Sequence, residues 1–472
     1  MSEESSSAYV HEKKAGHTIE VLPVDDTVHD EVFGDIEGKN VPNYRNVGWI
    51  GTAGLMMKSM IGLGVLSIPA VFDVLGLIPG VICLIAIATM TTWSNYVVGQ
   101  FKLAHPDMYM IDDAGSIMFG KAGREALAVC YILFQTFCAG SGMLSISISL
   151  NAISEHAICT AGFVVVALLI VLCVASVRTL HKLSPLAWIG LVSIITAILI
   201  VTIAVSLQDR PAAAPQNGLP FTSDYKLFGS PSFAQAASAL SSLVFAYAGT
   251  PSFFGLVSEM RDPRKYTRAL IVCNSVVTCA YVVIGVVVYY YCGSYVSSPA
   301  LGSAGPLLKK IAYGIALPGL IMSSTLLTHL PAKYIFVRAL RGSKHLVANT
   351  WQHWASWLGA VAGCGIFSYI IASAIPVFGP LVSLVGALLG TLMCMQPMGC
   401  MWLYDNYSRG KEAPTVMWRL KVVWAVFIIV MGSFLMVAGT YGAVLDIQSA
   451  MSVGGTTTPW GCADNSGTVK SS

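Results

Sequence analysis

An isolated basic residue, Lys58, stands inside the apolar segment MMKSMIGLGVLSIPAVF, residues 56–72. It lies one helical turn before Gly62, which begins the tripeptide Gly62-Leu63-Gly64. A charged side chain at the centre of a bilayer costs about 2.5 to 3.5 kcal/mol on insertion scales, so charges at this depth tend to serve a function. A low-dielectric surrounding also disfavours the ammonium form, which would let Lys58 exchange a proton. The sequence therefore predicts a functional cation at residue 58, and the alternative is a snorkelling lysine whose ammonium reaches the membrane surface.

A second apolar segment, SSLVFAYAGTPSFFGLVSEM at residues 241–260, is interrupted by Gly249-Thr250-Pro251. Glycine and proline break the helical hydrogen-bond ladder, and non-helical backbone at membrane depth survives only where it is buried in protein or lines a cavity. A pair of interrupted helices at corresponding positions of two halves points to the binding site of an inverted-repeat transporter. We therefore expect the two interruptions to form one site. The alternative is that these are ordinary tolerated glycines and prolines.

Membrane helices must position these residues, because the chain is 55% hydrophobic and only 11% charged. Soluble domains carry about 25% charged residues. Eleven apolar stretches reach the roughly 17 to 25 residues that cross a bilayer. We expect an all-α integral membrane protein with eleven transmembrane helices. The predicted spans are residues 49–70, 77–101, 126–150, 157–177, 184–206, 233–258, 269–292, 307–330, 354–375, 377–404 and 420–445.

The distribution of basic residues predicts the orientation of these spans. With the N-terminus in the cytosol, 21 of the 27 lysines and arginines fall on the cytosolic side, as the positive-inside rule requires. Residues 1–48 lack the apolar core of a cleavable signal peptide, so we expect them to form a disordered cytosolic tail. The transporter domain would cover residues 49–445, with repeats at about 49–206 and 233–404 and a peripheral span 11. Residues 446–472 would form an extracellular tail.

Several classes of site are not indicated by the sequence. The twelve cysteines are scattered, without a CxxC motif or a histidine–cysteine grouping at zinc spacing, and we interpret most of them as small core residues. Cys159, Cys292 and Cys462 lie near predicted outer ends and allow one disulfide, whose pairing the sequence does not assign. The glycine pairs Gly359/Gly363 and Gly386/Gly390 predict close helix packing. Without a carboxylate pair, a nucleophile triad or a metal cluster, we expect no enzyme, no cofactor and no bound metal. The net charge of +3 is too small to suggest a nucleic-acid partner.

Three segments resemble the amino acid/auxin permease family of the amino acid/polyamine/organocation superfamily. LMMKSMIGLGVLSIPAVFDVLG resembles the first-span signature of the family, and FAYAGTPSFFGLVSEMRDPRKYTRAL resembles its sixth span. HLPAKYIFVR resembles the inner end of its eighth span. The likeness covers about residues 45 to 445 and is closest to the neutral amino acid permeases of filamentous fungi. It implies a five-plus-five inverted-repeat fold of the LeuT type, with interrupted helices 1 and 6, a small amino acid substrate and cation-coupled uptake.

This resemblance gives the backbone of both interruptions a chemical role. A half-helix that starts near Gly64 would offer unpaired N–H groups and a positive dipole end to the substrate carboxylate. The unwound part of span 6 would offer carbonyl groups to the ammonium. The aromatic side chains of this part, with Phe253, Tyr131 and Gln135, are candidates for the side-chain pocket, although each could simply pack helices. The predicted substrate-binding residues are Gly62, Leu63, Gly64, Phe245, Ala246, Tyr247, Gly249 and Thr250.

The resemblance also implies how a cation is coupled. Sodium-coupled members of the family tend to carry a neutral residue such as asparagine where this chain has Lys58, whereas proton-coupled members carry lysine. The ammonium would replace a sodium ion between spans 1 and 8, or transfer a proton. His329 stands near the place where sodium-coupled relatives have hydroxyl ligands, and its alternative is a helix-packing histidine. Ser323, Ser324 and Thr325 lie one to two turns away and could still bind a cation.

The sequence thus predicts proton-coupled symport of neutral amino acids, aliphatic and aromatic, across the plasma membrane. Its partners would be neutral L-amino acids, protons and the lipid bilayer. Two alternatives remain open, a vacuolar amino acid transporter of the same fold and an amino acid sensor that signals through its N-terminal tail.

Overall fold

The computed structural model of the chain divides after Tyr44 into two units. In the first unit, strand β1 (Val28–Asp30) pairs antiparallel with strand β2 (Gly34–Ile36), so that Val28 lies opposite Ile36. Most of the predicted disordered tail lies outside the described residues, and disorder there stays a prediction. The residues that the structure describes are 28–30, 34–36, 47–177, 180–211, 213–214, 221–340, 343, 345, 350–411, 414–452 and 458–468.

The second unit, Arg45–Ser472, is built from helices throughout its described part. Short 3₁₀ turns and one π-helical turn, Gly386–Gly390, join or interrupt these helices. The α-helices are α1 (Trp49–Met60), α2 (Ile68–Leu75), α3 (Leu77–Ala104), α4 (Ile111–Ser154), α5 (Thr160–Ala175), α6 (Leu180–Leu207), α7 (Phe233–Ala246), α8 (Thr250–Ser258), α9 (Tyr266–Cys292), α10 (Pro306–Ala339), α11 (Trp351–Ala374), α12 (Phe378–Val385), α13 (Thr391–Cys394), α14 (Gln396–Lys411) and α15 (Val416–Ser452).

Both predicted interruptions are confirmed. Helix α1 ends at Met60, and the chain continues through a 3₁₀ turn, Gly64–Ser67, into α2 with a bend of 42° between the two halves. Helix α7 ends at Ala246 and α8 begins at Thr250. Pro251 stands in the first turn of α8, where the missing N–H breaks no hydrogen bond.

Among the described residues, nine helices or runs of helices are long and apolar enough to cross a membrane, and the bent pair α1–α2 makes a tenth. Helix α5 has 16 residues, which is short of the roughly 20 that a bilayer requires. Its position agrees with the fourth predicted span, residues 157–177. Eleven crossings therefore stay a prediction, whereas the all-helical membrane architecture is confirmed.

Long helices form the scaffold on which the interruptions rest. Helix α10 packs along α4 and α6, and α11 packs along α4 and α5. The π-helical turn lies against α7, where a Cβ added at Gly386 would come within 2.0 Å of the Ser241 carbonyl oxygen. Close packing is thus confirmed for Gly386. The prediction of close packing is wrong for Gly359 and Gly363, because an added Cβ at either glycine would meet no described atom within 4 Å.

A terminal strap, defined as residues 458–468, lies across the ends of α4, α5 and α10. Cys462 forms a disulfide with Cys159, directly before α5, while Cys292 is a free buried thiol. Two hydrogen bonds hold the strap in place together with the disulfide. Thr160 Oγ1 donates to the Ala463 carbonyl at 2.6 Å, and Lys309 Nζ donates to the Ser466 carbonyl at 2.6 Å. The predicted extracellular tail therefore packs on the helices over its described part.

The start of α1 and the end of α8 meet on the opposite face. The Arg261 N–H donates to the Val47 carbonyl at 3.0 Å, and a parallel bridge joins Val47 to Met260. Burial raises the pKa of the neighbouring Glu259 carboxyl, and the charge of Lys333 partly offsets this rise. The start of one interrupted helix and the end of the other are thereby held together by backbone hydrogen bonds.

Candidate functional site

The two interruptions lie directly against each other. A Cβ added at Gly64 would come within 2.4 Å of the Ala246 Cα, and one added at Gly249 would come within 3.0 Å of the Met60 Cγ. Such distances are shorter than any ordinary carbon–carbon contact. Gly64 thus lets the backbone of one interruption approach the backbone of the other, and Gly249 leaves room for the Met60 side chain, as a shared site requires.

Helix ends of opposite polarity converge at this contact. The C-terminal residues of α1 and α7, Met60 and Ala246, have carbonyl groups that cannot find an N–H four residues on, because each helix stops there. The segments that begin at Gly64 and Thr250 present the N–H groups of a first turn, which have no carbonyl of their own helix to bond, and the Thr250 N–H contacts the Cys394 thiol. Carbonyl ends attract a cation and N–H ends attract an anion. The arrangement therefore suits a zwitterion, which carries both charges.

A residue that the sequence did not single out links the two carbonyl ends. The hydroxyl of Tyr281, on α9, donates to the Met60 carbonyl at 2.8 Å and to the Ala246 carbonyl at 3.0 Å. Its ring is fully buried and lies edge-on to the ring of Tyr247, with centroids 5.2 Å apart. Tyr281 belongs to the apolar run YVVIGVVVYYY. In the sequence, its hydroxyl is the one feature that could have marked it as a candidate.

The predicted site residues of span 6 lie at this junction. Ala246, Tyr247 and Thr250 are buried, and Phe245 is 7% exposed. The Tyr247 hydroxyl donates to the Thr278 hydroxyl of α9 at 3.0 Å, so it is engaged in this conformation. Leu63 on the other side is also buried, so the junction is closed in this conformation.

Two further pocket candidates lie on the scaffold. The ring of Tyr131, on α4, contacts the ring of Tyr334 on α10 with centroids 5.8 Å apart. Gln135, one turn later, is buried, and its Nε2 has no hydrogen-bond partner in the described part of the chain. A contact of either side chain with a substrate stays a prediction.

Lys58 is half-buried on α1 and forms neither a hydrogen bond nor an ion pair with any described residue. It lies on the same helix face as Gly54, four residues earlier. An added Cβ at Gly54 would come within 2.7 Å of the Trp188 ring on α6. Residue 58 therefore lies on the face of α1 that carries Gly54 toward α6, one turn before the interruption.

The hydroxyl residues of α10 do meet the interruption of α1. An added Cβ at Gly62 would lie 3.7 Å from Ser323 Oγ, and Ser324 Oγ packs onto Gly142 of α4 beside Leu63. The hydroxyls of Ser324 and Thr325 are buried without a hydrogen-bond partner among the described residues. Buried polar groups are rarely left unpaired, so this pair is a candidate site for a cation or a water molecule.

His329 has its contacts elsewhere. Its Nδ1 lies 3.2 Å from the Ala175 carbonyl of α5, and its ring lies edge-on to Trp357 of α11, 5.0 Å between centroids. Its Nε2 is buried and has no partner among the described residues. These contacts place the imidazole within the scaffold rather than at the helix breaks, so the structure does not bring His329 together with the other predicted site residues.

Known proteins resemble this chain over nearly its whole length. A family model described as transmembrane amino acid transporter protein matches residues 45–445. A transmembrane transporter of Fusarium pseudograminearum is 34% identical over 90% of this chain and 89% of its own. The N amino acid transport system protein of Neurospora crassa is 29% identical over 96% of this chain and 98% of its own.

Solved structures show the same fold at low identity. The inward-facing conformation of Mhp1 superposes with a TM-score of 0.57 and 13% identity, covering 92% of this chain and 97% of that one. The closed conformation of Mhp1, a nucleobase-cation-symport-1 family transporter, gives a TM-score of 0.51 at 12% identity, with 89% and 95% covered. The likeness shows the five-plus-five inverted-repeat fold of the LeuT type, in which the helices broken at Gly62 and Gly249 are the first of each repeat.

Proposed function

Because the chain belongs to the transmembrane amino acid transporter family, we propose that it is a proton-coupled symporter of neutral amino acids in the plasma membrane. The observation that carries this proposal is the convergence of four helix ends at the two interruptions. The carbonyl ends at Met60 and Ala246 would bind the ammonium of the substrate, and the N–H ends at Gly64 and Thr250 would bind its carboxylate.

Neutral side chains are favoured by the surroundings of this junction. The predicted site residues at both interruptions are glycines, apolar or aromatic residues and one threonine, so a charged substrate side chain would find no counter-ion among them. A desolvated charge without a partner is costly. Phe245 and Tyr247 offer apolar surface instead, which suits aliphatic and aromatic amino acids. The Neurospora relative is named as a transport system for amino acids, which supports an amino acid as the substrate.

Lys58 is the proposed coupling group. It is half-buried one turn before the interruption, without a described polar partner, so its protonation state can respond to rearrangement of the helix halves. One proton that moves down a 100 mV potential yields about 2.3 kcal/mol. At about 1.4 kcal/mol per decade, this energy supports roughly fiftyfold accumulation of a neutral solute.

Sodium coupling is the second candidate, and a specific observation favours it. The hydroxyls of Ser324 and Thr325 have no hydrogen-bond partner among the described residues and are oxygen donors of the kind that a hard cation prefers, and Ser324 Oγ lies beside Leu63 of the α1 interruption. The two candidates differ in a measurable way, because removal of Lys58 would abolish proton coupling and leave sodium coupling intact.

The plasma membrane is proposed from the disulfide together with the distribution of basic residues. Disulfides persist in oxidising compartments, so Cys159 and Cys462 would face outward and the cation-rich loops would face the cytosol. A vacuolar lumen could hold the same bond, and a sensor could bind the same substrate without moving it. Surface labelling of whole cells distinguishes a plasma-membrane protein from a vacuolar one. Net uptake of the substrate distinguishes a transporter from a sensor.

The test is uptake of radiolabelled phenylalanine and leucine by a transporter-deficient host at acidic and neutral pH, with and without sodium. We expect saturable uptake by the native chain that rises at acidic pH, needs no sodium and collapses with a protonophore. Lys58→Asn should lose the acid stimulation, whereas His329→Gln, on the scaffold, should keep it. Sodium-dependent native uptake that survives Lys58→Asn would establish the second candidate.

A further inference from the structure

We propose that Tyr281 is a positioning residue that sets the two ammonium-binding carbonyls and thereby makes the site selective for a primary ammonium. This inference rests on the proposed function. It concerns a residue of α9, outside both interrupted helices, whose hydroxyl is bonded to the last carbonyl of α1 and to the last carbonyl of α7.

The bonding capacity of these groups leaves room for a substrate. A tyrosine hydroxyl has one proton to donate, and each carbonyl oxygen has two lone pairs. The single proton, shared between Met60 and Ala246, therefore leaves lone pairs on both oxygens. An ammonium has three N–H donors and can reach both oxygens at once. Tyr281 would hold the oxygens within hydrogen-bond distance of one point and leave their remaining lone pairs to the substrate.

The hydroxyl is fixed from the α9 side. The ring of Tyr281 has no exposed surface and lies edge-on to Tyr247, the residue that directly follows Ala246. Tyr247 in turn donates to Thr278, which stands one turn before Tyr281 on α9. Two tyrosines thus attach the end of α7 to α9, so the position of the Ala246 carbonyl follows α9 rather than the loose backbone of the interruption.

Selectivity follows from this fixed spacing. An N-methyl ammonium keeps two N–H donors and can still meet both oxygens, but only in orientations that point its methyl group away from them, into the buried surroundings of the junction. When the two oxygens are held in place this orientation cannot adjust, whereas oxygens that are free to turn would let the methyl group take another position. The native protein should therefore discriminate strongly between an amino acid and its N-methyl derivative, and a protein without the hydroxyl should discriminate weakly.

The experiment compares Tyr281→Phe with Tyr266→Phe in the full chain. Tyr266 is a matched control, because it is also buried on α9 and donates to a backbone carbonyl, that of Asn95 at 3.0 Å, away from the interruptions. The readouts are KM and Vmax for phenylalanine uptake, the amount of protein at the membrane, and the ratio of inhibition constants for N-methylphenylalanine and phenylalanine.

For Tyr281→Phe we expect KM to rise about tenfold, as loss of one buried hydrogen-bond donor predicts, with Vmax per molecule near the native value. The inhibition ratio should fall severalfold. Tyr266→Phe should leave both KM and the ratio at native values even if less protein reaches the membrane. A purely structural role of Tyr281 predicts a lower protein level with native KM and ratio, and that result would overturn the proposal.

A second variant covers the case in which Tyr281→Phe does not reach the membrane. Tyr281→Met removes the donor and fills the space with a flexible apolar side chain, so we expect a raised KM and a lowered ratio in the same direction. Native values of both in this variant would refute the positioning role. If the native chain takes up neither phenylalanine nor leucine, the proposed function fails first; if native uptake is normal and only the Tyr281 results disagree, this inference alone fails.

Discussion

Substitution of Gly64 by alanine tests whether the close contact between the interruptions is required for transport. The added Cβ would lie 2.4 Å from the Ala246 Cα and 3.2 Å from the Ala246 nitrogen, and both are backbone atoms that cannot rotate away. Carbon atoms pack best at about 3.5 to 4.0 Å, so the two backbones must separate by about 1 Å or more. Overpacking of this kind costs about 1 to 3 kcal/mol, which corresponds to roughly a fivefold to 150-fold loss of substrate affinity if the closed site carries the strain.

The assay is phenylalanine uptake by Gly64→Ala, with Gly255→Ala as the matched control. Gly255 is also a helical glycine, on α8, but an added Cβ there meets no described atom within 4 Å. We expect Gly64→Ala to reach the membrane with KM raised within that range or with uptake abolished, and Gly255→Ala to transport as the native chain does. Native KM and Vmax in Gly64→Ala would refute the reasoning, because the two interruptions would then not need to touch.

Two further substitutions test other contacts. Cys462→Ser should lower the melting temperature of the detergent-purified protein by several degrees, since disulfides typically contribute about 2 to 4 kcal/mol to stability. Reductant should lower the melting temperature of the native protein to the same value. A native melting temperature that does not change with reductant would contradict this prediction. Gly386→Ala should impair folding, because its Cβ would lie 2.0 Å from the Ser241 carbonyl oxygen, whereas Gly359→Ala should not. Equal membrane levels of the two glycine variants would show that α7 and the π-helical turn can move apart freely.

The fold was predictable because its determinants are local. Apolar runs of bilayer length, the glycines at 62 and 64 and the Gly249–Pro251 break are each readable within about 20 residues of sequence. In a membrane, backbone polar groups must be satisfied within the helix, so a cluster of helix breakers in an apolar run carries more information than it would in a soluble protein. Both interruptions therefore occur where the sequence places them.

What sequence reasoning missed depends on contacts between distant segments. Tyr281 is one of several aromatic residues in an apolar run, and only the tertiary fold brings its hydroxyl to the ends of α1 and α7. The pairing of Cys159 with Cys462 joins residues that lie 303 positions apart. The glycine pairs at 359 and 386 have the same spacing, yet only Gly386 faces a neighbouring helix closely, because spacing defines a helix face but not what covers it.

The disulfide also constrains how often the chain crosses the membrane. Its two cysteines share one compartment, so an even number of crossings must separate residue 159 from residue 462. Seven spans of sufficient length lie between them in the described chain, beginning with α6 and ending with α15, and seven is odd. Helix α5, directly after Cys159, would supply the eighth crossing that this parity requires, despite its 16 residues, which supports the prediction of eleven crossings. A single covalent bond between two loops thus argues for a membrane crossing by a helix whose length alone would not indicate one.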